Sequence, residues 1–272
     1  MSANILLVIE GERLEHNFFS HYLKKFNVNA HLCVVGANIH MLYSKCKSYG
    51  FDCDVKDILK EMVRDDVKSS LEQKFAYTYL VFDADLHHKN IEQRGKTIDI
   101  ETIIDGNFPQ LIEMVKHFTD ETDPSIGKLY INYPMMESFR YCNRFNDDAF
   151  LSATIPIESI SDFKQLASKM ALSGRVIENY TRDNFVDLIR MNVLRLESLL
   201  NKDIRRFLSY DEYLEASDAV KIADNQHERM LNDKEIHVLN SSIFLILDYF
   251  GNKDKFYENL IENNDRQLQV SP

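Results

Sequence analysis

The stretch "YLVFDADLHH", residues 79–88, decides how this chain is read. Its apolar run, rich in aromatic and β-branched residues, has strand character. It finishes in two aspartates one residue apart, Asp83 and Asp85. In an extended strand, residues i and i+2 project to the same side. A strand that continued through Asp85 would therefore put both carboxylates in one small volume. At ~5 Å and an effective dielectric of ~20, their repulsion is on the order of 3 kcal/mol. A raised pKa, a basic partner or a bound cation must offset it.

Outward from this stretch, the chain alternates strands and helices. "NILLVIEGE" is a continuous apolar run bounded by polar residues, as expected of a strand buried on both faces. "RLEHNFFSHYLKKF" then spaces Leu14, Phe18, Phe19, Tyr22, Leu23 and Phe26 as a helix does. "AHLCVVG" predicts a second strand stopped by Gly36, and "NIHMLYSKCKSYG" through "DVKDILKEMV" two helical pieces broken near Gly50. "FAYTYLVFDAD" is the third strand, "FPQLIEMVKHF" a helix, and "KLYINYP" a fourth strand ended by Pro134. Such alternation implies βαβ units, hence an α/β fold with a parallel sheet and right-handed crossovers.

The pattern runs to about residue 145 and changes after "NRFNDD". From there "DFKQLASKMAL", "TRDNFVDLIRMNVLRLESLL", "YDEYLEASDAVKIADNQHERM" and "EIHVLNSSIFLILDYFG" each predict a helix. Thr181 suits an N-cap with Asp183 in the first turn, and Gly251 suits a helix stop. The expected organisation is an α/β unit over residues 1–145 and a helical C-terminal extension over 146–272, packed on or beside it.

Composition sets limits. With 44% hydrophobic and 28% charged residues, the chain is ordinary for a globular protein. "ILLVI" and "IFLIL" are far short of the ~20 residues a bilayer span requires, and no secretory signal is visible. No membrane association is expected, and a cytoplasmic location is. Cys33, Cys46, Cys53 and Cys142 form no CxxC pair or zinc spacing, so buried reduced thiols are expected. A net charge of −11 disfavours binding to nucleic acid through phosphate contacts alone. Metal-dependent enzymes are the exception, because bound divalent ions reverse the sign of an acidic pocket.

In open parallel sheets, ligands bind beyond the carboxyl ends of the strands. Strand one ends "VIEGE", with Glu10 at its tip and Gly11 after it, where glycine's freedom would let the chain turn sharply. Strand three ends in Asp83 and Asp85. Strand four ends "INYPMMES", with Asn132, Pro134 and then Glu137. Carboxylates far apart in sequence are thus expected at one sheet edge. Mg²⁺ prefers hard oxygen ligands, one or two carboxylates with water and substrate phosphate, so a cation would answer the question posed by Asp83 and Asp85.

Glu-Gly after the first strand, followed by DxD after a later one, resembles the Toprim domain of topoisomerases, primases and several nucleases. "IEGERLEHNFF" resembles the E-G-E-x-x-E-x-x-[YF]-F opening of small stand-alone Toprim proteins of the RloB and OLD kind. "NYPMMES" resembles their Asn-Pro-x-x-Glu element, although Tyr133 separates Asn132 from Pro134 and Leu14 stands where relatives often have Thr. The resemblance covers about the first 145 residues. It implies a Rossmann-like, mainly parallel four-stranded sheet with flanking helices. It further implies a Mg²⁺- or Mn²⁺-dependent nuclease acting on DNA or RNA in anti-phage defence, beside an ABC-type ATPase partner. Glu10 would be the general acid/base or a metal-positioning carboxylate. Asp83 and Asp85 would hold the ion, and Glu137 would complete its shell. Glu15 matches a position of the relatives. Whether the chain forms a homo-oligomer is left open.

Plainer readings stand beside these. Asp83 and Asp85 could be a helix cap and a solvated loop acid, and Glu10, Glu12 and Glu15 helix-start charges. Glu137 could be an exposed helix-start acid. His87 and His88 suit a metal or proton-transfer role, or solvent. Lys89 and Arg140 are the nearest cations for a phosphate, or for the carboxylates. Met135 and Met136 suit core packing. Arg182, Arg190, Arg195, Arg205 and Arg206 suit a solvated face more than a nucleic-acid surface. Gly11, Glu15, His87, Lys89, Asn132 and Arg140 are the secondary site candidates. Two other function classes compete: a non-catalytic Toprim-like regulatory or interaction module acting with the ATPase, and a receiver- or phosphatase-like domain. The latter ranks last, because Leu-His-His follows the DxD in place of Asp-Gly-Thr, and no lysine marks a late strand end.

Overall fold

The computed structural model describes residues 4–90, 93–141, 153–171, 176–201 and 207–261. β1 (Ile5–Ile9) is central because all five of its residues are apolar, and all are buried. Each contributes about 1.5–3 kcal/mol relative to exposure. β1 pairs in parallel with β2 (Ala30–Val34) on one side and with β3 (Tyr77–Asp83) on the other. Farther along come β4 (Thr119–Asp120) and β5 (Gly127–Asn132). β5 pairs in parallel with β3, and β4 runs antiparallel along its outer edge. The order is β2-β1-β3-β5-β4. The four expected strands are present and parallel, and the short β4 is an addition no periodicity could announce in two residues.

α1 (Leu14–Lys25) connects β1 to β2, and α2 (Ile39–Ser48), α3 (Val55–Met62) and α4 (Asp65–Lys68) lead from β2 to β3. α5 (Ile100–His117) follows β3. The side chains of Asn38, Asp54 and Asp99 cap α2, α3 and α5 by accepting backbone N–H bonds.

The second half contributes α6 (Phe163–Met170), α7 (Arg182–Asn201), α8 (Tyr210–Ala216), α9 (Ala219–Asp233), α10 (Leu245–Phe250) and α11 (Phe256–Ile261). Thr181 Oγ1 accepts the Asn184 N–H at 3.2 Å, capping α7. Two expectations need correction. The helix expected over residues 210–230 is broken, because Asp218 caps a new one by accepting the Lys221 N–H. The segment 235–251 is not one helix. Lys234, in the left-handed region at φ 57°, ends α9, and β7 (Glu235–His237) pairs antiparallel with β6 (Thr154–Pro156). A 3₁₀ turn, Ser241–Phe244, then leads into α10, which Gly251 stops at φ +57°.

The helical half is sewn to the sheet. Tyr133 and Leu239 form an antiparallel bridge beside β5. Ser241 Oγ donates to the Ile131 carbonyl at 2.7 Å, the Ser242 N–H to Asn132 Oδ1 at 3.2 Å, and Tyr22 Oη to the Ile243 carbonyl at 2.5 Å. One apolar core runs through both halves. The expected 145/146 boundary and Cys142 lie outside the described residues. Burial raises the Cys33 thiol to about 11 and the Cys46 thiol to about 12, so both are unreactive. Among the described residues, no helix is long and apolar enough to cross a membrane.

Candidate active site at the carboxyl edge of the sheet

The chain winds from β1 to β2 in one direction and continues to β3 on the other side, so the β1–β3 seam is where the winding reverses. That is where open α/β sheets form a crevice beyond their strand ends. Glu10 stands one residue past the Ile9–Val81 pair, at this seam. Its Oε2 accepts the Asp83 backbone N–H at 3.4 Å. Asp83 Oδ1 in turn accepts the Met136 N–H at 2.6 Å, tying the tip of β3 to the segment after β5. The Tyr133–Pro134 peptide in that segment is cis. Glu137 follows and is buried, with Oε2 lacking a hydrogen-bond partner.

Asp85 reaches the site differently from the sequence expectation. β3 ends at Asp83, and Asp85 adopts the left-handed region at φ 44°, which Asp tolerates better than most residues. The Asp85 side chain is thus placed by a turn and not by strand alternation. The turn is held from outside. The Asp85 carbonyl accepts the His88 N–H at 2.8 Å and lies 3.1 Å from His40 Nε2. Asn107 Nδ2, on α5, donates to the Leu86 and His88 carbonyls at 2.9 Å each. The rings of His40 and His88 stack at 4.6 Å.

Gly11 plays another part than expected. Its φ is not positive. A Cβ there would instead overlap the Glu15 carboxylate, which folds back over the glycine. Glu15 thus belongs to the cluster as well as to the first turn of α1.

The electrostatics follow from burial and like charge. Burial, then Asp85, push Glu10 up to about 8, against the bond from Asp83. Burial raises Asp83 well above the usual range, with Glu10, Glu15, Glu137 and Asp85 adding to it. Burial also raises Glu15, with Glu137 contributing. The cation facing them is Lys164 on α6, whose Nζ lies 3.6 Å from Glu137 Oε1. Burial lowers its pKa, but Glu137, Asp83, Glu15 and Asp85 more than reverse that.

The remaining candidates fall elsewhere. Asn132 is buried and engaged with Met136 Sδ and Ser242, a clamp between β5 and the helical half. Lys89 Nζ donates to the Lys96 carbonyl at 3.3 Å, and Arg140 lies over the Phe139 ring at 5.2 Å. His87 Nδ1 is buried without a partner. Glu12 pairs with Arg64 at 3.4 Å on the surface. Met135 and Met136 are core. Arg190 and Arg195 do not form a solvated face: both are buried in α7. Arg195 donates to the Ser138 carbonyl at 3.4 Å and the Tyr141 carbonyl at 2.7 Å, bracing the turn that carries Glu137. Arg205 and Arg206 lie outside the described residues. Sequence reasoning missed Lys164, His40 and Asn107, and placed Arg195 on the surface. Each acts across the fold, and none sits in a motif that spacing could flag.

Comparison of the chain with family models, with curated proteins and with solved structures finds no match.

The donor chemistry suits a hard divalent cation. Glu10, Glu15, Asp83, Asp85 and Glu137 offer only oxygens, and Glu137 Oε2 is an orphaned buried acceptor. Among the described residues, no three Asp, Glu, His or Cys side chains already converge as a ligand set. The fit therefore lies in ligand type.

Proposed function

We propose that this chain is a Toprim-type, Mg²⁺- or Mn²⁺-dependent nuclease that hydrolyses DNA or RNA phosphodiesters, in cytoplasmic anti-phage defence beside an ABC-type ATPase. The observation that carries the reading is the Glu10–Asp83 contact, in which two acids from separate strands share one buried edge at the winding reversal. Asp83, Asp85 and Glu137 would hold the ion. When bound, the ion supplies Lewis-acid polarisation of a phosphate oxygen and lowers the pKa of a bound water. Glu10, raised to about 8 before an ion binds, can hold a proton near neutral pH and so exchange one with the attacking or leaving oxygen. The turn braced by His40 and Asn107 fixes the Asp85 backbone, and Arg195 fixes the turn bearing Glu137, so the acids are held by the fold.

The test is incubation of purified protein with a mixed panel of DNA, tRNA and other RNA, in Mn²⁺ and in chelator. Cleavage in Mn²⁺ that is lost in chelator and lost in Glu10→Gln supports the proposal. Absence of metal-dependent cleavage across the panel, or cleavage unchanged in both Glu10→Gln and Asp83→Asn, overturns it.

A second reading rests on Lys164. With a lysine already facing Glu137 and no preformed ligand set among the described residues, the same core would serve as a non-catalytic module acting with the ATPase. That reading requires no carboxylate-dependent Mg²⁺ or Mn²⁺ binding.

A further inference from the structure

A cluster of buried carboxylates can be relieved by protonation or by a counter-charge when no metal is bound, and here a counter-charge comes from a distant part of the chain. Lys164 projects from α6, whose Phe163 and Ala167 are fully buried. The Tyr141 and Phe163 rings meet at 5.4 Å beside the turn that bears Glu137. The backbone of α6 is therefore fixed at the rim of the site. The Lys164 side chain is not: it remains 67% exposed while its ammonium sits 3.6 Å from Glu137 Oε1. Glu137 is the acid it meets, and its charge is also felt at Asp83, Glu15, Asp85 and Glu10. A fixed helix with a flexible, solvent-facing lysine can both fill and vacate a position at low cost.

We infer that Lys164 is a tethered counter-ion that holds the carboxylate site before a divalent cation arrives and is displaced when the cation binds. Two positive charges cannot share the Glu137 oxygens without mutual repulsion at close range, so lysine and metal compete. Glu137 Oε2 is buried without a partner while Oε1 faces the lysine. One oxygen is thus left unneutralised, and a divalent ion satisfies the pair better than one ammonium does. Displaced, the ammonium stays tethered to α6 at the rim of the site, where it would meet an incoming nucleic-acid phosphate. Metal loading would then convert a site that its own lysine partly neutralises into one that presents a free cation to its substrate.

The inference rests on the metal-site reading, and calorimetric titration with Mn²⁺ alone separates the two. The proteins compared are the full chain, Lys164→Met, Lys164→Arg and Asp83→Asn. With the competitor removed, Lys164→Met binds Mn²⁺ at least about threefold more tightly than the unaltered chain, while Lys164→Arg stays within twofold of it. In thermal unfolding, Lys164→Met melts lower than the unaltered chain in chelator and level with it in saturating Mn²⁺. Equal or weaker Mn²⁺ binding by Lys164→Met, beside Asp83-dependent binding by the unaltered chain, overturns the counter-ion role and leaves the metal site standing. No binding by the unaltered chain, or binding unchanged by Asp83→Asn, overturns both.

Discussion

Glu10 accepts a hydrogen bond from the backbone N–H of Asp83, 73 residues away, at 3.4 Å. The bond joins the tips of β1 and β3 and sets two acids against each other where water is scarce. The N–H favours the charged form of Glu10, while burial and Asp85 oppose it and prevail. Glu10 is thus inclined to keep its proton, and the proposed cation would have to displace it.

Neutralising either acid should separate stability from function. Glu10→Gln and Asp83→Asn keep shape and hydrogen-bonding capacity, so the metal-free protein should melt at the same temperature or higher. Metal-dependent cleavage should fall at least about a hundredfold, a cost of about 2.7 kcal/mol in the barrier. Circular dichroism melts and cleavage rates on the same samples check both halves.

Stability of the metal-free protein should depend on pH with a definite sign. Glu10 is raised from 4.5 to about 8 by burial, with Asp85 adding, and Asp83 is raised too. A carboxyl with a raised folded pKa keeps a proton that the unfolded chain has released. Stability is therefore lost as pH climbs from about 4.5 toward 8, by at most about 1.4 kcal/mol per pH unit for each proton. Buried His237 acts oppositely. Burial, aided by Arg229 and Arg195, lowers it to about 3, so its contribution is lost as pH falls from about 6.5 toward 3. Denaturant titrations in chelator should give a mildly acidic optimum, and saturating Mn²⁺ should flatten the alkaline limb.

Gly11→Ala tests the packing of Glu15. Because φ at Gly11 is ordinary, the backbone tolerates alanine, but the new Cβ displaces the Glu15 carboxylate. The expected result is a change in unfolding free energy within about 1 kcal/mol, with Mn²⁺ affinity reduced several-fold. Calorimetry beside a denaturation curve separates this from general misfolding.

Arg195→Met removes the guanidinium that serves the Ser138 and Tyr141 carbonyls inside the core. It should cost about 2–4 kcal/mol, because those carbonyls lose their donor without gaining water. Differential scanning calorimetry measures the loss. Mn²⁺ binding at a temperature where the variant remains folded should weaken too, as the turn bearing Glu137 loosens.

The α/β framework was legible because its signals are local. "ILLVI" is a continuous apolar run of strand length, and Thr181 caps α7 from its own side chain. The acids at the strand tips were legible for the same reason, as residues that end apolar runs. The start of α5 was not read: the helix expected from Phe108 begins at Ile100, capped by Asp99. Where reading failed elsewhere, the deciding force was not local. "EIHVLNSS" carries an apolar alternation weak enough to pass for helix, and pairing with Thr154–Pro156 makes its first three residues a strand. Gly11 looked like a turn residue, yet a carboxylate four residues away needs its bare Cα. Arg190 and Arg195 looked solvated because nothing in their neighbours reports a buried cation. Lys164 carries no motif at all, and only the docking of α6 against the turn after β5 gives it a part in the site.

The most direct test of the account is anomalous diffraction from crystals of the unaltered protein grown with Mn²⁺. A single strong anomalous peak among the carboxylates of Asp83, Asp85 and Glu137, with Glu10 beside it, is the predicted result. A map with no peak there, or with manganese bound only at sites remote from the β1–β3 seam, would contradict it.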